Sequence, residues 1–223
     1  MHRTCLSVVV MIALTCIVSP AMGQEENRKV EDGGIFVPGW MASSDSQEAR
    51  LSIEDSVLYV TTGPAITYWN PENTVSGNYT VSATFTEPQY MNINNHPHPY
   101  GIVIAGNDMD TEQPSYLYCA AYGNGKFIVR GMGPEPFQMN GRRPEANDAV
   151  NKAAGKGEPV TQEIAVSVMG DTVQCAINGT VVASYDKSAV VGEGKLKSTD
   201  GVYGIRFAHN TDGTVTGLIA TEQ

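Results

Sequence analysis

Tyr116, Tyr118, Tyr122 and Arg130 are the side chains of this sequence best suited to hold a ligand. They fall within SYLYCAAYGNGKFIVR, residues 115–130. A tyrosine ring offers a flat apolar face with a hydroxyl at its edge, and a guanidinium offers a planar fork of donors. Sugars present apolar C–H faces and rims of hydroxyls, so this combination suits a carbohydrate. The residues can act together only if they leave the chain on one side. Two β-prone runs flank Gly123-Asn124-Gly125, which reads as the turn of a hairpin. Alternation then puts Tyr116, Tyr118, Ala120 and Tyr122 on one face and Leu117, Cys119 and Ala121 on the other. A three-residue turn pairs Tyr122 with Lys126, Ala120 with Ile128 and Tyr118 with Arg130. A two-residue turn would move Arg130 to the apolar side, and burying an unpaired guanidinium is costly. The competing reading is that the long segment 131–159 packs over the tyrosines and buries them.

Other residues could do chemistry. His96-Pro97-His98 holds two imidazoles at alternate positions of an extended stretch, and His209 could be a third metal ligand. No thiolate or fixed carboxylate completes that set, so the reading adopted is ordinary loop histidines, with no metal and no cofactor. Asp108, Asp110 and Glu112 alternate in an acidic loop but lack the glycine and terminal glutamate of an EF-hand. Glycoside hydrolysis needs two carboxyls across a cleft, for which Glu135, Glu145 and Asp108 are the candidates. Arg142, beside Arg143, could clamp a carboxylate or phosphate, and His209 joins it as a candidate ligand-binding residue. There is no Ser-His-Asp signature, phosphate-binding glycine loop or Rossmann pattern.

The N-terminus reads as a secretory signal: Arg3, an apolar run over 6–18, Ser19-Pro20, then Ala21-Met22-Gly23 as a cleavage site. Export of a protein without a membrane span, to the periplasm or outside the cell, is expected. The whole chain carries a formal charge of -10, and removing residues 1–23 takes Arg3 and no acid, which leaves the mature chain near -11. Such acidity argues against nucleic acid as a partner. Cys5 and Cys16 leave with the signal. Cys119 and Cys175 remain as a disulfide pair or as two small hydrophobes on apolar strand faces.

Helix signals are sparse, and period-two segments broken by Gly, Asn, Asp and Pro recur, which predicts an all-β sandwich or barrel. Strands are expected at 57–62, 65–69, 79–86, 100–105, in the hairpin, at 164–168, 173–177, 181–185, 202–208 and 214–221. Residues 24–34 read as a flexible leader and 35–223 as one domain. Segment 131–159 is either a functional loop or a flap over a sheet edge, with one short helix expected at 145–154.

Three stretches carry a family likeness: Tyr100-Gly101-Ile102-Val103-Ile104 before the hairpin, Glu163–Val168 leading to Val173–Thr180, and Gly201–His209. In that order they resemble the concanavalin A-like, laminin G-like jelly rolls, and among these the 3-keto-disaccharide hydrolase domain family. The resemblance spans about residue 40 to the C-terminus. It implies an antiparallel jelly-roll β-sandwich, exported, that binds or processes sugars at a concave sheet. Ala105 stands where family members carry an arginine, and Leu117 where they carry a glutamate. Three functions follow as alternatives: a carbohydrate-binding module, a glycoside hydrolase or lyase acting on (3-keto-)glycosides, and a laminin G-like protein-interaction domain. The oligomeric state is not legible.

Overall fold

The structure, a computed structural model, describes residues 26–43 and 46–223. The expected signal segment, with Cys5 and Cys16, lies outside the described residues. In chain order the strands are β1 (Gly34–Ile35), β2 (Met41–Ala42), β3 (Ala49–Glu54), β4 (Val57–Thr62), β5 (Ile66–Val75), β6 (Tyr79–Glu87), β7 (Pro99–Asn107) and β8 (Ser115–Tyr122). They continue with β9 (Lys126–Met132), β10 (Phe137–Gln138), β11 (Glu145–Ala146), β12 (Val160–Met169), β13 (Thr172–Ile177), β14 (Thr180–Asp186), β15 (Gly201–Phe207) and β16 (Asp212–Glu222). One short helix, α1 (Lys187–Val190), follows β14.

These strands build two sheets. The back sheet runs β1-β3-β4-β16-β6-β12-β13-β14 and the front sheet β10-β9-β8-β7-β15-β5-β2, with β11 also paired to β9. All pairs are antiparallel except the short β1–β3 pair. No described helix is long and apolar enough to cross a membrane.

The core between the sheets is the sum of the inward parities. From the back come Tyr79, Val81, Ala83 and Phe85, then Ile164, Val166 and Val168, then Val173, Cys175 and Ile177. From the front come Leu117, Cys119, Ala121, Phe127 and Val129, with Ile102, Ile104, Ile205 and Phe207. Phe85, Tyr100 and Phe207 meet with centroids 5.8–5.9 Å apart and tie β6 to β7 and β15. Cys119 on β8 and Cys175 on β13 are joined across this core as a disulfide, with Cα atoms 6.1 Å apart.

The hairpin of β8 and β9 has the expected register: Tyr122 opposite Lys126, Ala120 opposite Ile128, Tyr118 opposite Arg130 and Cys119 opposite Val129. Gly125 takes φ +83, a conformation that glycine adopts without steric cost. Asn178 and Gly179 likewise take positive φ in the tight turn from β13 to β14.

Three expectations need correction. No helix forms at 145–154. Glu145–Ala146 is strand β11, held to Lys126 and Phe127, because the free edge of β9 needs partners more than ten residues need a helix. The segment 131–159 is accordingly an edge cover: β10 and β11 both pair with β9, and Asn140 Oδ1 accepts from the Val129 N–H at 2.9 Å. The leader is not loose from residue 26 onward. Arg28 makes a two-pronged ion pair with Asp212 at 2.6 and 2.9 Å and donates through Nε to the Thr62 oxygen at 2.8 Å. Val30 is buried nearby. Finally, the strand expected to stop at Asn70-Pro71 resumes as far as Val75. Gly204 pairs with Trp69 and Val202 with Thr74, so residues 70–73 bulge out of the ladder.

Candidate functional site

The outer face of the front sheet is built from the residues whose parity sends them away from the core. Rows across the sheet follow from the registers. One row runs Arg130, Tyr118, Val103, Gly204, Trp69. The next runs Ile128, Ala120, Gly101, Arg206, Thr67. A third begins Lys126, Tyr122, Pro99, and the Ala208 N–H donates to the Pro99 oxygen beside it. Small residues at Ala120, Gly101, Pro99 and Ala208 sit between large ones at Tyr118, Tyr122 and Arg206. The outcome is a cavity of about 270 Å³, lined by Pro99, Ala120 and Ala208 among the small residues and by Tyr118, Tyr122 and Arg206 among the large.

Bulges interrupt β7 and β15 beside a second cavity, lined in part by Gly106 and Val202. The register shifts between Ile104 and Asn107 on β7 and between Val202 and Gly204 on β15, at the same level of adjacent strands. Ala105 takes φ +57 there. Each bulge adds local twist and lets the strand bend, so bulges aligned on neighbouring strands curve the sheet.

Of the expected ligand residues, Tyr118, Tyr122, Arg130 and His209 line this cavity. Tyr116 and Arg142 do not. Tyr116 is only 3% exposed, its ring packs 6.2 Å from that of Tyr118, and its hydroxyl accepts from Arg206 Nη1 at 3.1 Å. Arg142 is exposed, and its backbone oxygen accepts from Arg130 Nη2 at 3.1 Å. Tyr116 and Tyr118 are buried, chiefly in an outer-face cluster with Trp69, Val103 and Ile128. From the segment 131–159, Met132 packs against this cluster, and no residue of the segment lines the cavity.

Arg206 is the residue that sequence reasoning missed. Its guanidinium lies 5.2 Å from the Tyr118 ring centroid, and Nη1 donates to Thr67 Oγ1 at 2.7 Å. These contacts fix the fork beside the ring. The alternation Ile205-Arg206-Phe207 carries the signal for it: its apolar neighbours face inward, so Arg206 faces out.

Burial pushes the Tyr122 hydroxyl up to about 12, with the Arg130 charge pulling the other way and Tyr118 adding to the rise. The phenol therefore stays protonated at neutral pH and can both donate and accept.

The histidines are not scattered loop residues, as expected, but one cluster. β7 begins where its neighbour β15 ends, so His98 and His209 arrive side by side, with ring centroids 3.9 Å apart. His96 joins them, its Nε2 2.9 Å from His98 Nε2. All three line the cavity.

The candidate catalytic acids are elsewhere. Glu135 and Glu145 are exposed on the edge cover, and Asp108 pairs with Lys197. Asp108 lines a separate cavity with Trp69, Asp110 and Met109. Among the described residues no carboxylate lines the main cavity.

No protein-family model and no curated protein matches the sequence. Solved structures do match the fold. A Bacillus subtilis protein of unknown function with a galectin-like fold superposes with a TM-score of 0.59 and 12% identity, over 82% of this chain and 89% of that one. A functionally unknown protein of Saccharomyces cerevisiae gives 0.51 and 10%, over 82% and 95%. A provisionally assigned glycosyl hydrolase of Parabacteroides distasonis gives 0.50 and 13%, over 82% and 99%. The described chain is thus an antiparallel jelly-roll β-sandwich whose front sheet carries on its outer face a cavity of tyrosine, arginine and histidine.

Proposed function

We propose that this is an exported carbohydrate-binding jelly roll whose ligand occupies the outer-face cavity of the front sheet. The observation that carries the reading is the pairing of aromatic and guanidinium groups around one concavity: Tyr118 and Tyr122 with Arg130 and Arg206. The rings receive apolar sugar faces, and the two forks receive hydroxyl or acid oxygens. With two guanidinium groups and, among the described residues, no lining carboxylate, the interior favours sugars bearing a carboxylate or sulfate over neutral ones. The disulfide between Cys119 and Cys175 is consistent with an oxidising compartment and so supports export. The galectin-like and glycosyl hydrolase-type neighbours are in keeping with a sugar ligand.

The second reading, a hydrolase or lyase of the 3-keto-disaccharide type, draws on the family resemblance. Among the described residues no two carboxyls face one another across the cavity, an arrangement that ordinary glycoside hydrolysis requires. The test is a glycan array with neutral, uronate-containing and sulfated glycans, run beside a hydrolysis screen that includes 3-keto-glycosides. Binding to acidic glycans that Arg206→Ala and Tyr122→Ala abolish is the expected result. Turnover in the screen would put the enzyme reading ahead, and silence in both would end the carbohydrate reading.

A further inference from the structure

We propose that His96, His98 and His209 form a site for one divalent transition-metal ion, Zn²⁺ by ligand type, at the rim of the outer-face cavity. One ring nitrogen from each histidine lies within 4.8 Å of the others. Imidazole is a ligand for Zn²⁺, Cu²⁺ and Ni²⁺, and three protein ligands are the usual complement of a zinc site that keeps a position open.

The hydrogen bonds decide which nitrogens face inward. His98 Nδ1 stands 2.5 Å from the backbone oxygen of His209. A carbonyl oxygen only accepts, so Nδ1 carries a proton, and in the neutral ring Nε2 is the nitrogen that can ligate. His96 Nδ1 stands 2.6 Å from Asn95 Oδ1, also an acceptor, so in the neutral ring its ligating nitrogen is Nε2 as well. These two Nε2 atoms are 2.9 Å apart. A metal ion held by both would have the third imidazole in reach, because the strand layout brings His209 to the same point.

The surroundings match a metal site in two further ways. Nδ1–H donation to a carbonyl oxygen is the outer contact that orients metal-ligating histidines and fixes their tautomer. The observed spacings, from 2.9 Å to at most 4.8 Å, bracket the separation of about 3.4 Å that tetrahedral ligands take at Zn–N bond lengths. All three histidines line the cavity, so a fourth coordination position would face it and accept a water or an oxygen of a bound ligand.

The test uses the full chain, stripped with EDTA, dialysed, and titrated with ZnCl₂ by calorimetry, with bound metal counted by mass spectrometry. One ion per chain with micromolar or tighter affinity is expected. His96 is exposed, so His96→Gln spares the core. It should weaken Zn²⁺ binding at least tenfold while leaving the thermal melt of the metal-free protein unchanged, as should His209→Gln for binding. Co²⁺ loading should give the intense visible bands of a tetrahedral site, lost in both variants. Absence of saturable binding, or binding that both variants leave unchanged, overturns the proposal. No sugar enters this titration, so its failure leaves the carbohydrate reading standing, and an empty glycan array leaves the metal site standing.

Discussion

Replacing Glu87 with glutamine should make the protein more stable in neutral and mildly alkaline solution. Glu87 closes β6 on the parity that sends Tyr79, Val81, Ala83 and Phe85 into the core, and it is only 5% exposed. The Met91 N–H donates to Oε1 at 3.1 Å, while Oε2 is buried with no hydrogen bond among the described residues. Burial raises this carboxyl to about 7, the Met91 bond opposes the rise, and the charge of Asp212 adds to it. The unfolded chain releases the proton near 4.5 and the folded chain only near 7. Between those values the folded state binds more protons, so stability is highest below the window, falls as pH rises through it, and levels off above. The gap corresponds to about 3 kcal/mol. Glutamine keeps the size and cannot ionise. The measurement is urea denaturation of both proteins at several pH values, read as the difference between them so that other titrating groups cancel. Relative to the variant, the wild type should lose about 3 kcal/mol from pH 4.5 to about 8. A difference that stays constant with pH would refute the reasoning.

Other outcomes follow from the same geometry. Reducing the disulfide, or replacing both cysteines with alanine, opens a loop of 56 residues' separation and should lower stability by about 4 kcal/mol on the chain-entropy model. A thiol assay finding two free thiols in the unreduced protein would show that no bond was there to lose. Arg28→Ala removes the forked ion pair to Asp212 and the bond to the Thr62 oxygen. Since Asp212 is partly exposed, about 1 kcal/mol is expected by denaturation, with faster proteolysis before β1. Arg206→Lys keeps the charge but loses the planar fork that reaches Thr67 and Tyr116. It should weaken an acidic glycan about tenfold by calorimetry, and full retention would remove Arg206 from the site.

Strand parity was legible throughout, because a sheet with one buried face imposes period two on its side chains. The run Tyr79, Val81, Ala83, Phe85 reads inward without any structure, and so does Glu87 once the alternation is carried one step further. The hairpin register was legible for a sharper reason. A slip by one residue would have buried Arg130, so one pairing excluded the other. The helix expected at 145–154 failed because local propensity competes poorly with an unpaired sheet edge, and the need of β9 for partners is invisible until β9 is known to be an edge.

What alternation cannot supply is the order of strands across the sheet. Arg206 was readable as outward-facing, yet nothing in its own segment says that β15 lies beside β7 and so two strands from the tyrosines of β8. The histidines make the same point more strongly. His98 and His209 are separated by 111 residues and meet only because one strand starts where its antiparallel neighbour ends. A pair of imidazoles two residues apart looks like a polar loop in one dimension. With the third delivered by a neighbouring strand, the same pair becomes a converging set of nitrogens at the mouth of a cavity. The proposed metal ligands of this protein therefore sit at strand ends rather than within strands, where the topology of the jelly roll, and not the pattern of any one segment, chooses the neighbours.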